Sequence, residues 1–121
     1  MTAPTLDYDD VSAIVSAFEA QLGDRTCAFA LFARFRVAEG AQARVKRAFD
    51  KAVAPTLQEA GVLDYQPHRD PKDPTGFVVY ERWKSLDDLE AHLRTPYIAE
   101  LRQVIDAVIT GTPGFNPLRP L

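Results

Sequence analysis

The sequence predicts an α+β domain in which an antiparallel sheet is covered by helices on one face. Three observations carry this. Cys27 to Val37 alternates at period two, with Cys27, Phe29, Leu31, Ala33, Phe35 and Val37 on one face. Two further strand-like stretches, Val62 to Arg69 and Gly76 to Trp83, flank Asp70-Pro71-Lys72-Asp73-Pro74-Thr75, which is turn chemistry throughout and pairs them antiparallel. The remaining segments carry apolar stripes of helical period.

Taken in order, Asp9 and Asp10 can cap a first helix whose apolar residues Val11, Ile14, Val15, Phe18 and Leu22 form one stripe, ended by Gly23. The long first strand follows. Its second face, Ala28, Ala30, Phe32, Arg34 and Arg36, is small and apolar at one end and cationic at the other. After Glu39-Gly40 a long helix buries Val45, Ala48, Phe49, Ala52, Val53, Leu57 and Ala60 and stops at Gly61, with a kink or break expected near Val53 because Pro55 removes a backbone donor. Ser85-Leu86-Asp87-Asp88 reads as a capping box with Asp in place of Glu, opening a helix that buries Leu86, Leu89 and Leu93. Thr95-Pro96 starts another, with the stripe Tyr97, Leu101, Val104, Ile105 and Val108. Three prolines and two glycines from Thr110 to Leu121 leave room only for a short edge strand. Without the first helix the order is strand, helix, strand, strand, helix, edge strand, the split β-α-β or ferredoxin-like arrangement. Phe32, Val78 and Tyr80 fall on the face away from the helices, so sheet-to-sheet dimerisation is expected.

Composition narrows function. With 121 residues, 46% of them hydrophobic, the chain can bury one core but not two ordinary ones. A net charge of −3 provides no positive field for nucleic acid or anionic lipid. One cysteine closes no internal disulfide, and two histidines outside any metal-binding spacing predict no metal site. No secretory leader and no apolar run near the roughly 20 residues of a membrane span is visible, which predicts a soluble cytoplasmic protein. Nucleotide, phosphate and acyl-enzyme motifs are missing.

The chemically capable residues cluster late in the chain. Phe77, Val79, Glu81 and Trp83 share a strand face, placing a carboxylate beside the only tryptophan. His92 lies about 60° outside the leucine stripe of its helix, at 100° per residue, and can reach inward or lie at the rim. Tyr97 sits on the next apolar stripe, and Tyr65 shares a strand face with Leu63 and Pro67. Each has a plainer reading. Trp83 and Tyr97 can simply fill the core, His92 can serve the helix dipole, and His68 belongs at a hairpin end. By spacing, Glu81 pairs across strands with Arg34 or Arg36, and Cys27 is a buried small hydrophobe.

The stretch Gly61-Val-Leu-Asp-Tyr65, His68-Arg-Asp70, Pro74, Phe77-Val-Val-Tyr-Glu-Arg-Trp83, Ser85, Leu89, His92-Leu93, Pro96 resembles the antibiotic biosynthesis monooxygenase family. The resemblance runs from about Phe29 to Leu101 and divides the chain into an N-terminal helical extension, residues 1–24, and the family domain, residues 25–121. It implies a dimeric α+β barrel with Trp83 and His92 on the wall of a cavity between sheet and helices. The haem-degrading branch adds an Asn on the first strand, where this chain has Ala33. The polyketide-oxidising branch places an Asn and a Tyr where this chain has Val79 and Leu89.

The resemblance therefore implies a cofactor-free monooxygenase acting with O2 on a small aromatic, a quinol, naphthol or polyketide-type molecule. His92, held by Glu81 or a tyrosine, takes the phenolic proton, and Tyr65 or Tyr97 donates to the oxygenated intermediate. Trp83 and Phe35 stack on the ring, and Ala33, Val79 and Leu89 complete the binding wall. The alternatives are a non-catalytic or stress-responsive ligand-binding dimer and an isomerase or cyclase on the same scaffold.

Overall fold

Alternation between core and solvent builds the first strand, as the burial of every second residue from Phe29 to Val37 requires. A computed structural model describes residues 10–121 of the chain, so the capping role expected of Asp9 lies outside the described residues. The elements are α1 (Val11–Leu22), β1 (Phe29–Val37), α2 (Gln42–Leu57), β2 (Val62–Asp70), β3 (Asp73–Trp83), α3 (Leu86–Leu93), α4 (Pro96–Asp106) and β4 (Ile109–Leu118). The strands form one antiparallel sheet in the order β2-β3-β1-β4. This is the split β-α-β arrangement with an added N-terminal helix.

α1 forms as expected. Asp10 accepts from the Ala13 amide, Gly23 closes the helix at φ 77°, and Val11, Ile14, Val15, Phe18 and Leu22 are all buried. Their partners are α3 and β4 of the same chain, with the Phe18 and Phe115 rings 5.9 Å apart. Burying each such side chain contributes about 1.5–3 kcal/mol before entropy is charged, so the helix is integral to the core. Arg25 adds a surface clamp, reaching Glu19 of α1 and both Asp87 and Glu90 of α3.

Several expectations need correction. Cys27 is exposed and donates to Asp24, because the strand begins only at Phe29 and the preceding turn is organised by the Asp24 carboxylate. α2 runs unbroken through Pro55, which sits in its last turn, so that the helix continues only two residues beyond it to Leu57. Its inner line is Val45, Phe49, Ala52 and Thr56, while Leu57 is 49% exposed. α4 likewise turns Ile98 and Leu101 inward and leaves Val104 partly exposed. The β2–β3 hairpin is tighter than a six-residue turn, with Asp70 paired to Asp73.

A register shift between Val62 and Asp64 makes Leu63 the extra residue and turns it out to 43% exposure, so Tyr65 shares its inner face with Val62 instead. The last strand is long, not short. It tolerates Pro113 and Pro117 because it is an edge, and Gly111 to Pro113 bulge out between the Arg36–Thr110 and Arg34–Gly114 pairs, with Gly111 at φ 72°. On the outer sheet face Phe32 is 36% exposed and packs on Tyr80, ring centres 5.4 Å apart.

Gly61 is demanded by close approach. A Cβ there would lie 2.1 Å from Cγ of Asp88, whose carboxylate accepts from the Ser85 hydroxyl at 2.8 Å while its amide donates back to Ser85. The capping box is thus built with Asp, and it presses α3 against the turn that follows α2. No helix among the described residues is long and apolar enough to cross a membrane.

Candidate functional site

Between the inner sheet face and the helices lies a cavity of about 140 Å³. Leu31, Ala33 and Phe35 of β1, Val79 of β3, and Leu89 and Leu93 of α3 give it an apolar lining. The titratable groups at the β3–α3 side are Tyr65, Glu81 and His92. Arg102 and Asp106 of α4 also line it, and neither is foreseen from the sequence, because an expected stripe through Tyr97 and Val104 turns them away.

Tertiary packing places His92. It follows Leu89 by three residues on α3, so the helix that buries Leu86 and Leu89 carries the imidazole inward, to 2% exposure. Its ring centre stands 4.5 Å from Trp83 and 5.3 Å from Tyr65. Its Nδ1 lies 2.9 Å from Oε2 of Glu59, and the Tyr97 hydroxyl donates to the same oxygen at 2.5 Å. An ionised carboxylate only accepts, so Nδ1 is the donor, and in the neutral ring the lone pair is on Nε2. Among the described residues no hydrogen bond to Nε2 is found, and His92 lines the cavity.

Glu59 is the residue the sequence reading lacks. It lies in the turn two residues beyond α2, three positions after buried Thr56, and so continues the inner line of that helix. A carboxylate at the next step of an apolar stripe is the signal that marks it, hidden when the stripe is drawn through Leu57 and Ala60.

Glu81 does not pair with Arg34 or Arg36. β1 and β3 pair so that Glu81 faces Leu31, on the inner side, while Arg34 bonds Asn116 and Arg36 reaches Asp73 at 2.9 Å. Its carboxylate accepts from Nε1 of Trp83 at 3.0 Å and holds the indole rather than His92. Burial raises the Glu81 carboxyl above its ordinary range, partly opposed by nearby His92 and the indole N–H. Burial also pushes the Tyr65 phenol well above the usual range, reinforced by Glu81 and Glu59. Tyr97 is raised to about 12, first by burial and then by its bond to Glu59.

Of the predicted site residues, the structure gathers His92, Glu81, Tyr65, Phe35, Ala33, Val79 and Leu89 around one cavity. Two fall outside its lining. Trp83 is wholly buried behind His92 and offers no face to a ligand, and Tyr97 turns its hydroxyl to Glu59. His68 is exposed at the hairpin end, its Nδ1 2.8 Å from the Gln66 carbonyl. Among the described residues no group of three or more His, Cys, Asp or Glu side chains is arranged to hold a metal ion.

An α+β domain with helices over one sheet face and an apolar, histidine-bearing cavity between the layers belongs to the class of small ferredoxin-like proteins. Within it, this chain belongs to the antibiotic biosynthesis monooxygenase family, whose model matches residues 28–104. Among solved structures, PA3566 from Pseudomonas aeruginosa is 27% identical, with TM-score 0.72 over 82% of this chain and 99% of its own. An antibiotic biosynthesis monooxygenase is 25% identical, with TM-score 0.73 over 77% and 98%. A protein from Caulobacter crescentus, 22% identical, shares the fold with TM-score 0.76 over 87% and 98%. No curated protein matches the chain.

Proposed function

We propose that the cavity binds a small electron-rich aromatic of the quinol type, and that the protein oxygenates it with O2 and no cofactor. The observation that carries this is the Glu59–His92 pair, a buried imidazole at the wall of a largely apolar cavity, whose Nδ1 is held by a carboxylate so that its acceptor nitrogen is Nε2. Such a nitrogen is suited to take the phenolic proton. The phenolate passes one electron to O2, and the carbon radical and superoxide join in a C–O bond. Loss of water from the protonated peroxide, taking the ring C–H hydrogen, leaves a carbonyl. A hydroquinone and O2 thus become a hydroxyquinone and water. Tyr65, kept protonated by burial, is the donor to the peroxide, because Tyr97 is engaged by Glu59.

A homodimer through the outer sheet face belongs to the same reading, supported by the exposed Phe32–Tyr80 pair. The test is oxygen-electrode turnover of a hydroquinone and naphthol panel by metal-free protein. His92→Ala is expected to lower kcat by roughly 10²-fold or more with ligand affinity nearly kept. Oxidation by His92→Ala at the wild-type rate would overturn the assignment.

A further inference from the structure

α1 lies wholly outside residues 28–104, the stretch that defines the family, yet Ile14 and Phe18 line the cavity. We infer that α1 is the specificity wall of this protein, with Phe18 and Ile14 limiting the cavity to a single aromatic ring. This rests on the cavity being the ligand site proposed above, and it adds which ligands fit.

The cavity measures about 140 Å³. An apolar cavity of roughly 150 Å³ takes up benzene and stays dry, so one ring fills this space and a second has no room unless a wall gives way. The sheet is the stiffer wall, since Leu31, Ala33 and Phe35 belong to a central strand paired on both sides. Across the cavity Phe18 is 2% exposed and leans on Phe115, so its ring fills space that a smaller side chain would open to the ligand.

α1 is a fixed wall rather than a lid. All five stripe residues are buried along its length, and its C-terminal end is fastened by Arg25 to Glu19, Asp87 and Glu90. Arg94 of the α3 C-cap bonds Ser12 at 3.0 Å near the other end, and Arg119 bonds the Leu22 carbonyl. Helix and domain are therefore joined at both termini of α1, and the ring of Phe18 is held in place by the same contacts that hold the helix.

The experiment measures binding of benzene and naphthalene, which need no chemistry, beside 1,4-hydroquinone and 1,4-naphthohydroquinone under argon. Wild type is expected to prefer the one-ring member of each pair. Phe18→Ala opens space on the order of 100 Å³ and is expected to raise naphthalene affinity about tenfold or more relative to benzene. Phe18→Leu, which keeps the core largely filled, shifts the ratio the same way by less and serves if the alanine variant does not fold. An unchanged ratio in the folded variants, with the hydroquinones still bound, overturns the wall and leaves the ligand reading standing. A shifted hydrocarbon ratio without any hydroquinone binding supports the wall and removes the quinol reading. Absence of binding by every probe overturns both.

Discussion

Replacing Glu59 by glutamine isolates the contact on which the proposed chemistry depends. The side chain keeps its length, but the acceptor-only carboxylate becomes an amide that can turn either its oxygen or its NH2 toward Nδ1 of His92. In the native protein the 2.9 Å contact leaves Nδ1 no choice but to donate. The same carboxylate would balance the positive charge that His92 gains on taking a proton, and both side chains are largely withdrawn from water, at 3% and 16% exposure. A hydrogen bond to a charged group is worth about 1.5–3 kcal/mol and a neutral one about 0.5–1.5 kcal/mol, so the charged transition state loses about 1–2 kcal/mol. Turnover then falls roughly 5- to 30-fold.

The primary assay needs no substrate. Long-range ¹H–¹⁵N correlation of the imidazole distinguishes the two neutral tautomers. The expected result is the Nδ1–H form of His92 in the wild type and a mixture of both forms in Glu59→Gln. A wild-type spectrum dominated by the Nε2–H tautomer would refute the reasoning, because Nε2 would then be unable to accept a proton from a ligand.

Two further outcomes follow from buried groups elsewhere in the site. Glu81 has its folded pKa raised above the ordinary 4.5 by burial, so the stability it contributes is fully present below 4.5 and is lost as pH rises through the raised value. Glu81→Gln does not titrate, so its Tm should gain on the wild type as pH rises from 4.5 toward 8, and a Tm difference independent of pH would contradict this. Gly61→Ala drives a methyl group into Asp88, at 2.1 to 2.3 Å, and must break the Ser85–Asp88 cap or shift α3. Losing a cap and overpacking together cost about 2–4 kcal/mol, a fall in Tm of about 8–15 °C by thermal melting, and a change under 2 °C would show that α3 yields freely.

The local patterns were legible wherever one residue's partners lie within a few positions of it. The Asp10, Ser85 and Thr95 caps, the period-two face of β1 and the five-residue stripe of α1 are all of this kind. Misreadings arose where a long-range partner decided the outcome. Leu63 turns outward because the β2–β3 register slips by one residue, and β4 extends to ten residues because β1 offers it an unpaired edge.

The site divides along the same line. From the sequence alone came the element order, a matter of local periodicity, and the family resemblance, carried by particular residues between Gly61 and Pro96. Only the tertiary structure could bring Glu59 to His92, thirty-three positions away, and turn Glu81 from the surface arginines to the Trp83 indole. It likewise set α1 against the cavity as part of its wall. The physical reason is that a side chain's charge state and neighbours depend on what packs across from it. A helix or strand pattern specifies which face turns inward, but not what that face will meet.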